Sequence, residues 1–172
     1  MSEENVEIVR GLYDAISRGD THIVLDTYDP GVTWDFTHSP FATVFKQTIY
    51  QGHDGLRAFM KERTEEAWDE IADELEELVD AGDRVISVVC SGGRGRTSGA
   101  EVSKTHVGVW TFHDRKVVQV QWFGTRDDAL EAAGLSGVAE LPLRTRNDQA
   151  DGSHPNEPCS CEPKASAHGY AD

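Results

Sequence analysis

The chain has 172 residues, 31 acidic against 16 basic, and a net charge of −15. Its length suits one domain. Its acidity excludes the basic footprint that nucleic-acid phosphates demand and argues against anionic membrane surfaces. No apolar run reaches the 18 residues of a membrane-spanning helix. The acidic start MSEENVEIVR does not read as a secretory signal, so the expected location is the cytoplasm.

Ser2 or Asn5 can cap a first helix, in which Val6, Val9, Leu12, Tyr13 and Ile16 recur at helical spacing up to Gly19. Asp20-Thr21 begins a second short helix through Tyr28, and Asp29-Pro30-Gly31 ends it in a turn. Val32–Phe36 reads as a strand with Thr33 and Asp35 on one face and Val32, Trp34 and Phe36 on the other. Thr37–Gln51 reads as a covering loop. Asp54 can cap a third helix from Leu56 to about Trp68, with Leu56, Phe59, Met60, Arg63 and Ala67 on its inner stripe. The acidic run Glu62–Asp80 reads as a solvated face, and its apolar positions Ile71, Leu75 and Leu78 permit helix or strand.

Three runs rich in β-branched and aromatic residues follow: Val85–Cys90, Val102–Phe112 and Val117–Phe123. The glycine-rich SGGRGRTSG separates the first two, and His113–Lys116 is a short hairpin connector. Pairing Phe112 with Val117 and counting outward sets Gly108 opposite Gln121. One sheet face then carries His106, Gly108, Trp110, Phe112, Val117, Gln119, Gln121 and Phe123. The other carries Val107, Val109, Thr111, Val118, Val120 and Trp122, and is apolar enough to require burial. The first face suits either a ligand cavity or an ordinary half-exposed sheet surface. Thr125 caps a last helix that ends at Gly134-Leu135. Residues 137–172, poor in large apolar side chains, read as a disordered tail after a domain of residues 1–136.

Several pieces, in order, resemble the NTF2-like superfamily and its SnoaL-like proteins. They are Val9–Ala15 with Arg18-Gly19-Asp20, Tyr28–Trp34, Tyr50–Leu56, Gly93–Arg96 with Ser98-Gly99, and Asp127–Leu135. The resemblance implies an α+β, cone-shaped fold in which a strongly curved antiparallel sheet wraps the N-terminal helices and encloses a pocket. It implies that 72–79 is a strand, and that homodimers form through the sheet. It also implies a small hydrophobic or carbonyl-containing ligand, and cofactor-free acid–base chemistry such as cyclisation, isomerisation or dehydration. A non-catalytic binding or dimerisation module is the alternative.

On this reading Asp35 resembles the general base of ketosteroid isomerase, because a carboxylate in an apolar pocket can shuttle a proton beside a carbonyl. Gly108 falls where that enzyme has its protonated acid, and Leu12, with Tyr13 one place off, near its tyrosine. Steroid isomerisation is therefore disfavoured. His106 is the second candidate acid or base. Tyr13, Trp34, Trp110, Gln119, Gln121 and Phe123 are the expected ligand-binding residues. No metal is expected: His154, Cys159, Cys161 and His168 match no standard ligand spacing.

Overall fold

The computed structural model describes residues 2–20 and 25–135. The expected tail and the metal-like His154, Cys159, Cys161 and His168 lie outside the described residues, as do residues 21–24 of the expected second helix. Residues 25–27 are helical, whereas Tyr28 and the expected turn Asp29-Pro30-Gly31 belong to a strand. The elements are α1 (Ser2–Ser17), β1 (Tyr28–His38), β2 (Ile49–Gln51), α2 (Gly52–Lys61), a π-helical turn (Glu62–Ala67), β3 (Trp68–Asp80), β4 (Arg84–Gly95), β5 (Glu101–His113), β6 (Lys116–Phe123) and α3 (Arg126–Ala132).

One six-stranded sheet runs in the order β2-β1-β6-β5-β4-β3. Neighbours are antiparallel except β1 and β6, which are parallel. That exception departs from the expected all-antiparallel sheet. The acidic run resolves into two parts. Glu62–Ala67 extends α2 as a wide helical turn, and Trp68–Asp80 pairs with β4 along its whole length. Breaks in register on β1, on β3 and at the β5–β6 pair bend the sheet.

The β5–β6 hairpin closes through Asp114 and Arg115, both with positive φ, as a two-residue turn matched to strand twist requires. Phe112 does face Val117, but the next pair is Thr111 with Gln119. Val118 is the extra residue of a bulge, and a one-residue slip exchanges the faces of everything beyond it. Gly108 therefore lies opposite Trp122, and Val109 opposite Gln121. The expected face assignment for β6 is reversed from Gln119 onward.

The concave face holds the main core. Val9, Leu12 and Ala15 of α1 and Leu56 and Phe59 of α2 pack on Tyr28, Trp34, Phe36, Trp110, Val120 and Trp122 of the sheet. The convex face carries a second cluster of Ile86, Val107, Val109 and Phe123, covered by Ala129 and Leu130 of α3. Thr125 caps α3 by accepting from the Asp128 amide at 3.2 Å. Among the described residues no helix is long and apolar enough to cross a membrane.

Candidate functional site

The concave face, α1 and α2 enclose a cavity of about 50 Å³. Its walls are mostly aromatic: Trp34 and Phe36 from β1, Phe41 and Phe45 from the covering loop, and Trp110 and Trp122 from the hairpin. Strand alternation is the reason. His106, Gly108 and Trp110 alternate inward along β5, and Trp34 pairs with Val120 so that its indole points to the same side.

Into this apolar wall four polar side chains enter as a chain. Asp73 of β3 sits directly opposite Ser91 of β4, and Val89, two residues back, pairs with His106 of β5. All three polar groups therefore share the concave face. Ser91 Oγ donates to Asp73 Oδ1 at 2.6 Å and lies 2.9 Å from His106 Nε2. Arg63, in the π-helical turn, donates from Nη2 to Asp73 Oδ2. The pair is largely dry, with side chains 11% and 15% exposed. His106 is itself only 6% exposed. Its ring stacks on Trp122 with centroids 4.5 Å apart and meets the edge of Phe41 at 5.2 Å.

Burial dominates the electrostatics here. It pushes the His106 pKa from the ordinary 6.5 down to about 4; Asp73 opposes the shift and Arg63 adds to it. The ring is thus neutral at pH 7. Burial likewise pushes the Tyr13 hydroxyl up, out of reach of ionisation. Tyr13 OH lies 3.2 Å from Ser87 Oγ, which also accepts from Trp110 Nε1 at 2.8 Å. Among the described residues, His106 Nδ1 and the indole nitrogens of Trp34, Trp68 and Trp122 are buried with no hydrogen-bond partner. The cavity wall thus carries one unmatched acceptor and three unmatched donors.

Of the residues expected from the sequence, the cavity gathers His106, Tyr13, Trp34 and Trp110. Asp35, Gln119, Gln121 and Phe123 are not among its lining residues. Asp35 follows Trp34 on β1 and pairs with Gln121, so both point to the convex side; its carboxylate accepts from the Thr37 amide at 2.8 Å. The bulge at Val118 takes Gln119, Gln121 and Phe123 to that side too. Phe123 stacks on His38 there, centroids 5.7 Å apart.

Arg63, Asp73 and Ser91 were not among the expected site residues. A signal existed for two of them. Arg63 occupies an inner-stripe position of the expected third helix, in the part that forms the π-helical turn, and Asp73 shares a strand face with Ile71 and Leu75, an inward position for a carboxylate. Among the described residues, no group of three His, Cys, Asp or Glu side chains could hold a metal ion.

The fold agrees with what comparison finds. The SnoaL-like domain model matches residues 9–120, and the chain belongs to that family. An NTF2-like protein from Burkholderia pseudomallei K96243 superposes with a TM-score of 0.62 at 23% identity, over 76% of this chain and 97% of its own. A protein named for SnoaL-like polyketide cyclases, from Jannaschia sp. CCS1, gives 0.60 at 23%, over 78% and 94%. TerC, co-crystallised with polyporic acid, gives 0.61 at 19%, over 76% and 98%. No curated protein matches the chain.

Proposed function

We propose that the chain binds a small, largely apolar, carbonyl-bearing molecule in the concave cavity and moves a proton on it, with His106 as the base. One observation carries this reading: a neutral histidine, buried in an aromatic wall, has a ring nitrogen with no partner among the described residues. An unmatched buried polar atom is costly, and sites that pair with a ligand are where it is tolerated. The unpartnered indole N–H groups of Trp34, Trp68 and Trp122 supply donors for a carbonyl oxygen. Such donors favour the oxyanion that forms when a neighbouring C–H loses its proton. The proposed chemistry needs no cofactor. The neighbours named for polyketide cyclases and co-crystallised with polyporic acid are in keeping with an oxygenated ligand.

Asp35 and Gln121 have no part in this version of the chemistry, because both belong to the convex face. A second reading is a non-catalytic binding or dimerisation module, favoured by how far aromatic side chains fill the cavity. At about 50 Å³ it is far below the ~300 Å³ and more of drug-sized sites. A surface cleft of about 420 Å³ between the end of α1 and α2 shares Ile16, Met60 and Arg63 with the cavity and is the proposed way in. Two copies are proposed to associate through the convex face. Because α3 already covers its apolar cluster, the contact would centre on Gln119 and Gln121; sedimentation of wild type and Gln121→Lys tests it, the charge dissociating a dimer.

Deuterium uptake separates the two main readings. The protein is incubated in deuterated buffer with small cyclic ketones, and exchange beside the carbonyl is followed by proton NMR. Catalysed exchange that disappears in His106→Gln supports the base. Ligand-induced quenching of tryptophan fluorescence without exchange supports the binding module.

A further inference from the structure

The hydrogen-bond donors along Arg63–Asp73–Ser91–His106 can be assigned from chemistry alone. The Asp73 carboxylate, ion-paired with Arg63, has no hydrogen to give. The 2.6 Å contact between Ser91 Oγ and Asp73 Oδ1 is therefore made with the serine hydrogen. With that hydrogen spent, Ser91 Oγ can only accept from His106 at 2.9 Å. Nε2 must carry the ring proton, and in a neutral imidazole Nδ1 then carries the lone pair. Nδ1 is the ring atom that is buried with no partner among the described residues.

We propose that Ser91, oriented by Asp73 and Arg63, is a positioning residue that locks His106 in its Nε2–H tautomer and so makes Nδ1 the atom that takes the proton from the ligand. This deepens the acid–base reading of the cavity and rests on it for the final step; the lock itself does not. The ligand group meeting Nδ1 must bring a hydrogen, either an acidic C–H beside a carbonyl or a hydroxyl. In the first case the C–H bond breaks, an N–H bond forms at Nδ1, and the electron pair moves to the carbonyl oxygen as an enolate. The resulting imidazolium keeps its Nε2–H directed at Ser91, whose own hydrogen remains on Asp73. Return of the proton to the same carbon, or to a conjugated one, restores the ketone and the neutral ring. The outcome is exchange or isomerisation, with no oxidant or reductant consumed.

The arrangement differs from a serine nucleophile activated by histidine. There the histidine accepts from serine and donates to the carboxylate. Here the serine lies between the two and its hydrogen is committed to Asp73, so Ser91 is not poised to attack.

The test uses the full chain labelled with nitrogen-15 at histidine. Long-range proton–nitrogen correlation at pH 7 distinguishes a protonated from an unprotonated ring nitrogen. The expected result is an unprotonated Nδ1 and a protonated Nε2 for His106. Ser91→Ala removes the acceptor and is expected to mix or reverse the tautomers, whereas Ser91→Thr keeps a hydroxyl and restores the wild-type pattern. In the exchange assay Ser91→Ala is expected to lower kcat about tenfold, the effect of one lost hydrogen bond, with KM little changed. A protonated Nδ1 in the wild-type spectrum, which needs no variant to fold, overturns the lock. So does a Ser91→Ala spectrum identical to wild type. A correct tautomer without any exchange in the wild type leaves the lock standing and removes the acid–base reading.

Discussion

Acidification from pH 7 to pH 4 is predicted to remove about 3 kcal/mol of folding stability through His106 alone. In the folded chain burial holds its pKa at about 4, against 6.5 for an ordinary imidazole. The unfolded chain therefore takes up the proton first. The stability contributed by neutral His106 is full above 6.5, falls through the interval down to about 4, and levels off below it. The side chain is nearly all buried, so solvent screening takes little from this figure. Asp73 reaches His106 only through Ser91, and Arg63 stands behind Asp73. Their opposed charges are already part of the balance that yields a lowered value. The assay is urea denaturation of wild type and His106→Gln across pH 4 to 7, followed by tryptophan fluorescence. Other carboxylates titrate in both proteins and cancel in the difference. The wild-type advantage should shrink by about 3 kcal/mol toward pH 4. A difference that stays constant over the range would falsify the claim that His106 is buried and neutral.

Three further perturbations probe the same geometry. In Gly108→Ala the new methyl group would sit 2.9 Å from Ser87 Oγ, 3.0 Å from Trp110 Nε1 and 3.0 Å from Trp122 Cζ3. It should destabilise by about 1–3 kcal/mol and shift the Trp110 indole signal, and unchanged midpoints would contradict this packing. Glu62, only 7% exposed, accepts from the Lys46 amide at 2.6 Å and from Tyr50 OH at 2.8 Å, and so ties down the loop carrying Phe41 and Phe45. Glu62→Ala should cost about 3 kcal/mol and speed amide exchange at Lys46 more than in β4 and β5; uniform acceleration would argue against a local tether. Asp35→Asn should leave ligand binding and ketone exchange within twofold of wild type, and a tenfold loss would return Asp35 to the chemistry.

Much of the fold was legible because its signals are local. Apolar spacing in α1, the turn residues before β6 and the Thr125 cap each specify nearby backbone. The concave face of β1 was equally legible, since Val32, Trp34 and Phe36 alternate without a break. The same alternation separates Trp34 from Asp35, so a pocket containing Trp34 could not also hold its neighbour's side chain. The resemblance of Asp35 to an isomerase base runs against this alternation, and the alternation decides where its side chain lies.

The remainder depended on non-local features. The bulge at Val118 leaves no mark in a run of β-branched residues, yet it decides which side Gln119, Gln121 and Phe123 occupy. Composition hid Asp73 and Glu62 inside an acidic stretch whose other carboxylates are mostly exposed. Each is drawn inward by a partner distant in sequence: Ser91 and Arg63 for Asp73, Tyr50 and the Lys46 amide for Glu62. Buried carboxylates of this kind emerge only when strand pairing is known, because the pairing brings their donors within reach.

The central claim is that the concave cavity around His106, and not the convex face around Asp35, is where this chain meets its ligand. The most direct measurement is a two-dimensional nitrogen–proton spectrum of the full chain titrated with small cyclic ketones. Shifts confined to His106 and the indole signals of Trp34, Trp68 and Trp122 are the predicted result. Shifts centred on Asp35, Gln119 and Gln121, or none at any concentration, would contradict it.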